Sequence, residues 1–185
     1  MLFAAGDDQP AVLVHPPGAA YSAAFLPVLA ELLPEACQPV LVVVGHVNPN
    51  RVALLRSLAE TYTGLELITS NAGAKLLEEL WTQRKPYPPG EQQKKPPLTA
   101  LPPLRVIRHE QVLATAQGRS LQLIATPTPR WPGGLLAFEQ SLGLLMSDKF
   151  FSAHLCTEDW AETNRTSTEE ERRHFYDLSL IHISE

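Results

Sequence analysis

The residues best suited to chemistry sit in one short run, Gly45-His46-Val47-Asn48-Pro49-Asn50-Arg51. It follows the apolar stretch Val40–Val44, and α/β sheets place their sites at the C-terminal ends of such strands. The run reads His-x-Asn-x-Asn-Arg. His46 offers an imidazole nitrogen, a common metal ligand. Asn48 and Asn50 offer only neutral amides. Arg51 has no lone pair to give and stays protonated. The run therefore combines one good metal ligand with three residues better suited to hydrogen bonding.

The elements around it alternate strand and helix. Ala11–Val14 reads as a buried strand that needs neighbours. Ser22 is expected to cap a helix from Ala23 to Leu33, with Phe25, Leu26, Leu29, Leu32 and Leu33 facing inward. Val40–Val44 reads as a central strand. A helix is expected over Arg51–Thr61, with Leu54, Leu55 and Leu58 inward. A strand over Leu65–Thr69 and a helix over Ala72–Trp81, capped by Asn71, complete a βαβαβα order and a parallel sheet. The stretch 85–103 holds Pro86, Pro88, Pro89, Pro96, Pro97, Pro102 and Pro103, and reads as an extended surface loop. Short strands follow at Leu104–Arg108, Val112–Thr115, Leu121–Thr126, Leu135–Glu139 and Leu144–Ser147. Thr168–Tyr176 reads as a charged helix.

Three segments share one resemblance. His46 to Arg51 matches in register the His-x-Glu-x-Asp-His motif of the metallo-β-lactamase fold. Thr126-Pro127-Thr128-Pro129-Arg130-Trp131-Pro132-Gly133 and then Ser147-Asp148-Lys149-Phe150 are similar to a Pro-x-x-His-Trp-Pro stretch followed by Ser-x-Asp-x-Phe. That pairing resembles the flavodiiron proteins, and His154 after Asp148 is closest to their cyanobacterial diflavin type. The resemblance implies an α/β metallo-β-lactamase-like αββα sandwich, spanning 1–177 here as a partial domain, incomplete at both ends. It also implies a diiron centre and FMN carried by a flavodoxin-like domain beyond this chain. A further histidine ligand is expected beyond the chain as well.

Carried over by position, the resemblance places six metal-site residues. His46 stands at a histidine position. Asn48 replaces a glutamate, Asn50 an aspartate, Arg51 a histidine and Arg130 a histidine. Asp148 keeps the bridging aspartate. Metal ligation is left to His46 and Asp148. Three family carboxylates become one, and two arginines are added, so the side-chain sum at these positions is −1 + 2 = +1. At ~4 Å and an effective dielectric of ~20, a guanidinium beside a dication costs roughly 8 kcal/mol unscreened. The expected outcome is an impaired diiron site. Three arrangements remain open: Arg51 and Arg130 straddling Asp148, both arginines in solvent, or a cationic pocket for an anion.

The family function is an NAD(P)H:oxygen oxidoreductase that reduces O2 to water as a photoprotective electron sink. Electrons come from NAD(P)H or a ferredoxin-type donor through FMN, in a homo- or hetero-dimer. One alternative is a metal-free structural or regulatory subunit paired with a catalytic paralogue. Another is a degenerate hydrolase of the metallo-β-lactamase superfamily, which would need a metal-bound water. The remaining candidates read as structural: His15 as a turn residue, His109 and His154 as surface or supporting residues, and Trp131 as core or flavin-facing rim.

Composition bounds the rest. The chain has 185 residues, 15 Lys plus Arg against 20 Asp plus Glu, and a net charge of −5. No generally basic nucleic-acid surface follows. Hydrophobic content of 44% with 19% charged residues is globular. Cys37 and Cys156 are too few for a disulfide framework and read as buried small hydrophobes. No membrane span and no cationic leader are expected, and the expected compartment is cytoplasmic. Leu178–Glu185 reads as the translation of a transposon adapter used in sequencing libraries. The natural chain is then expected to continue past Asp177.

Overall fold

The computed structural model describes residues 1–5, 9–33, 39–83 and 99–150, together with 170 and 173. Cys37, Cys156, His154, most of the proline-dense loop, the Thr168–Tyr176 helix (apart from residues 170 and 173) and the 178–185 tail lie outside them. Two sheets stack, with helices on the outer face of the first. That is the helix–sheet–sheet part of the expected sandwich.

The first sheet has the order β1-β2-β3-β4-β5: Leu2–Phe3, Ala11–Val14, Val40–Val43, Leu65–Ser70 and Leu104–Ile107. Strands β2 to β5 run parallel, and β1 is antiparallel to β2 with Leu2 opposite Leu13. Ala11–Val14 thus finds both neighbours inside this chain, one of them a two-residue strand too short to show a pattern. Helices α1 (Ser22–Leu32), α2 (Pro49–Thr61) and α3 (Asn71–Thr82) make the crossovers.

The second sheet is antiparallel, with the order β6-β7-β8-β9: Glu110–Ala114, Ser120–Ala125, Leu135–Glu139 and Leu144–Met146. Strand alternation divides the core in two. Leu13, Val40, Val42 and Leu67 face the helices with Leu29, Leu55, Leu58 and Leu77. Val12, Val14, Leu41, Val43 and Ile68 face the second sheet with Leu121, Leu123, Leu135 and Ala137.

Helix starts are where expectation and structure differ. Ser22 is the first residue of α1 rather than its cap, because the turn Ala19–Tyr21 already begins the winding and Tyr21 stands at the cap without a side-chain bond. Leu32 is exposed, whereas Leu29 and Leu33 are buried and Phe25 and Leu26 pack against the core. Ser70, not Asn71, caps α3. Strand β4 runs directly into the helix, so its last residue keeps the extended backbone a cap needs, and its Oγ accepts from the Gly73 N–H at 3.2 Å. Helix α2 begins at Pro49, a favoured first position, behind an Asn48 cap.

Candidate functional site

The site forms where β2, β3 and β9 end. Strand β9 leads through Ser147 to Asp148, whose backbone is left-handed with φ 54°. An aspartate tolerates that conformation better than most residues. The turn aims its carboxylate at the loop after β3. Oδ2 accepts from the His46 backbone N–H at 2.8 Å and from Arg51 Nη1 at 2.6 Å, and Oδ1 accepts from Arg51 Nη2 at 3.1 Å. Arg51 Nη1 also donates to the His46 carbonyl at 2.7 Å. The two side chains are each only 8% exposed. This is a buried, two-pronged ion pair, the strongest geometry an arginine and a carboxylate offer.

Arg51 sits in the first turn of α2, and its own N–H donates to Asn48 Oδ1 at 2.8 Å. Asn48 therefore acts as a helix cap that fixes the backbone from which Arg51 projects. Gly45 lets the layers meet. A Cβ there would lie 2.7 Å from the Leu135 carbonyl, 3.0 Å from Asp148 Oδ2 and 3.0 Å from the His15 ring.

His15 joins this cluster. It follows β2 with φ 51°, so it is a turn residue, yet its ring is buried. Nε2 lies 3.2 Å from the Met146 carbonyl, and Nδ1 lies 3.7 Å from Asp148 Oδ2 without a hydrogen bond. A carbonyl only accepts, which assigns the proton of the neutral ring to Nε2. Burial, helped by the Arg51 charge and opposed by Asp148, lowers the His15 pKa to about 4. Burial and then Arg51 also lower His46. For Asp148, burial alone would raise the carboxyl. The Arg51 hydrogen bonds and charge, with His15 and the His46 N–H, outweigh it and hold the group below its ordinary value.

Four of the six expected positions thus converge: His46 through its backbone, Asn48 as cap, and Arg51 and Asp148 directly. Two do not. Asn50 is exposed on α2. Arg130 is exposed, with its guanidinium carbon 5.4 Å from the centre of the Trp131 ring. Stacking on an aromatic face at the surface keeps the charge hydrated, which a second buried arginine beside Arg51 would not. Trp131 instead lines a small open cleft with Gly45, His46, Thr126, Asp148 and Phe150.

No family model matches the chain. Its sequence is 30% identical to diflavin flavoprotein A 4 of Nostoc sp. over 165 residues, 89% of this chain. It is 32% identical over 170 residues to diflavin flavoprotein A 4 of Synechocystis sp., again 89% of this chain. A metal-soaked flavodiiron core from Synechocystis sp. superposes with a TM-score of 0.73 at 28% identity, over 95% of this chain and 41% of that one.

The chain belongs to the flavodiiron family.

Its fold is the metallo-β-lactamase-like core of those proteins. A fragment of diflavin flavoprotein A 5 from Nostoc sp. has the same fold at 24% identity and a TM-score of 0.72, over 97% of this chain and 65% of that one. The chain spans about a quarter of the length of the curated diflavin relatives, 26% of the Nostoc protein and 25% of the Synechocystis protein. Arg51 and Asp148, two of the six positions the sequence resemblance implied for a metal site, bind each other. Sequence reasoning missed His15 as a member of the site. The available signal was its place directly after a central strand.

Proposed function

We propose that this chain forms part of the core domain of a diflavin flavodiiron NAD(P)H:oxygen oxidoreductase, in the role of a subunit without a working diiron centre. One observation carries the reading. Both oxygens of Asp148, the carboxylate retained at the family's bridging position, are taken by Arg51. Among the described residues, no group of three or more His, Cys, Asp or Glu gathers as a metal would require. The described residues do not fit two iron ions.

A single metal on His46 and Asp148 fits poorly too. His46 meets Asp148 through its backbone N–H, not its ring. The same occupancy argues against a hydrolase with a metal-bound water. Oxygen reduction then belongs to a paralogue with a full ligand set. This subunit contributes shape and pairing, and FMN sits on a flavodoxin-like domain outside the stretch matched here. The photoprotective role as an electron sink is the family's.

The test is oxygen uptake driven by NAD(P)H. The full-length protein alone is expected to show none above free-flavin controls. Co-expressed with a ligand-complete paralogue, it is expected to co-purify as a mixed assembly that consumes oxygen. Sustained, iron-dependent uptake by the protein alone contradicts the proposal.

A further inference from the structure

We propose that Arg51, Asp148 and His15 form a metal-independent clasp that fastens strand β9 to the exits of β2 and β3, joining the two sheets. The inference rests on the reading that no diiron centre occupies the site. It extends that reading from what the site cannot hold to what its residues do.

Strand β9 needs such a fastening. Among the described residues it is three residues long and is the edge of its sheet, paired with β8 alone at Met146, Leu145 and Leu144. The packing between the sheets is apolar, with Met146 only partly buried against it. Apolar contact is non-directional and does not fix the position of a short edge strand. The polar contacts beyond it are directional and come from one sheet to the other. Arg51, after β3, grips both oxygens of Asp148, after β9. The His46 N–H adds a third bond to the same carboxylate. His15, after β2, bonds the last carbonyl of β9 at Met146.

The clasp leaves Arg51 Nε and His15 Nδ1 buried without a hydrogen-bond partner among the described residues, and satisfies the rest of the pair. The carboxylate receives three N–H donors, and the arginine reaches a backbone carbonyl as well as the carboxylate. Breaking one side of such a pair strands the other charge in the interior, whereas removing both charges costs far less. The pair also puts a fixed positive charge where a metal would supply one. The role of cross-linking the layers therefore passes from a coordinated ion to a guanidinium fork.

The test is a thermal double-mutant cycle on the purified full-length protein, its iron content measured, with and without EDTA. Asp148→Asn removes the charge but tolerates the left-handed backbone. Arg51→Met removes the fork. Each single variant is expected to lower the melting temperature by roughly 6–20 °C. The double variant is expected to lose clearly less than the sum of the two. EDTA is expected to change nothing in the wild type. Arg51→Lys, which keeps charge without the fork, keeps the cycle readable if Arg51→Met does not fold, and an intermediate loss is expected. Hydrogen exchange gives a local readout: the His46 amide should exchange faster in Asp148→Asn, with the amides of β3 unchanged. Additive or negligible losses in an iron-free wild type overturn the clasp and leave the family reading intact. Stoichiometric iron in the wild type, with a melting temperature that EDTA lowers, overturns the metal-free reading itself.

Discussion

Arg51 changes what Asp148 can do, and His15 changes how the pair responds to acid. The folded protein keeps His15 neutral down to about pH 4, against an ordinary value of 6.5. Between those values the unfolded chain binds a proton that the folded chain refuses, so stability falls as pH drops from 6.5 toward 4. His15 alone contributes up to about 3 kcal/mol to that fall. His46, lowered less, has the same sign. Asp148 is held below its ordinary 3.8, so its contribution is present above that value and lost only at lower pH. Urea midpoints measured from pH 7 to pH 4 should therefore decline, and His15→Gln should flatten the slope. An unchanged slope in that variant contradicts the burial of His15. At this scale residue type was informative. A guanidinium cannot ligate, so the conflict of Arg51 with metal was legible in the sequence. His15 was not, because the Pro16-Pro17-Gly18 context speaks for a turn and says nothing of where the ring goes. Of the arrangements left open for Arg130, the exposed one holds, since sequence position does not weigh stacking on Trp131 against burial.

The elements hold the site through their ends. Helix α3 finishes against α2, where Arg56 donates to the carbonyls of Leu80, Trp81 and Gln83 and lies 5.7 Å from the Trp81 ring centre. Arg56 thus satisfies carbonyls that a helix C-terminus leaves open. Arg56→Met is expected to cost about 1–3 kcal/mol of stability in chemical denaturation. The loop carrying Trp131 closes by backbone contact: a Cβ at Gly134 would lie only 2.2 Å from the Thr126 carbonyl. Gly134→Ala should therefore cost about 1–3 kcal/mol by overpacking, seen as a lowered melting temperature. A wild-type midpoint would show that the loop yields freely. Element type was legible, because continuous apolar runs and helical spacing dominate each segment. Leu135–Glu139 falls where periodicity puts it. Caps were harder. Where β4 passes into α3 without a loop, Ser70 and Asn71 are both good cap residues, and only the backbone decides between them.

Across the whole molecule, the two sheets and the helical layer follow the βαβαβα order and the later hairpins, both visible in the sequence. The parallel sheet needs the crossovers that α1, α2 and α3 provide. The approach of Arg51 to Asp148 was legible only through the family pattern, because residues 51 and 148 share no local signal, and that of His15 was not legible at all. No described helix is long and apolar enough to cross a membrane. The central claim is that an arginine–aspartate pair stands where this family binds iron. Metal analysis of the full-length protein, produced with ample iron and stripped of loosely bound ions by gel filtration, tests it most directly. The account predicts no stoichiometric iron in the core domain, in wild type and in Arg130→His alike. Two tightly held irons per chain would contradict it.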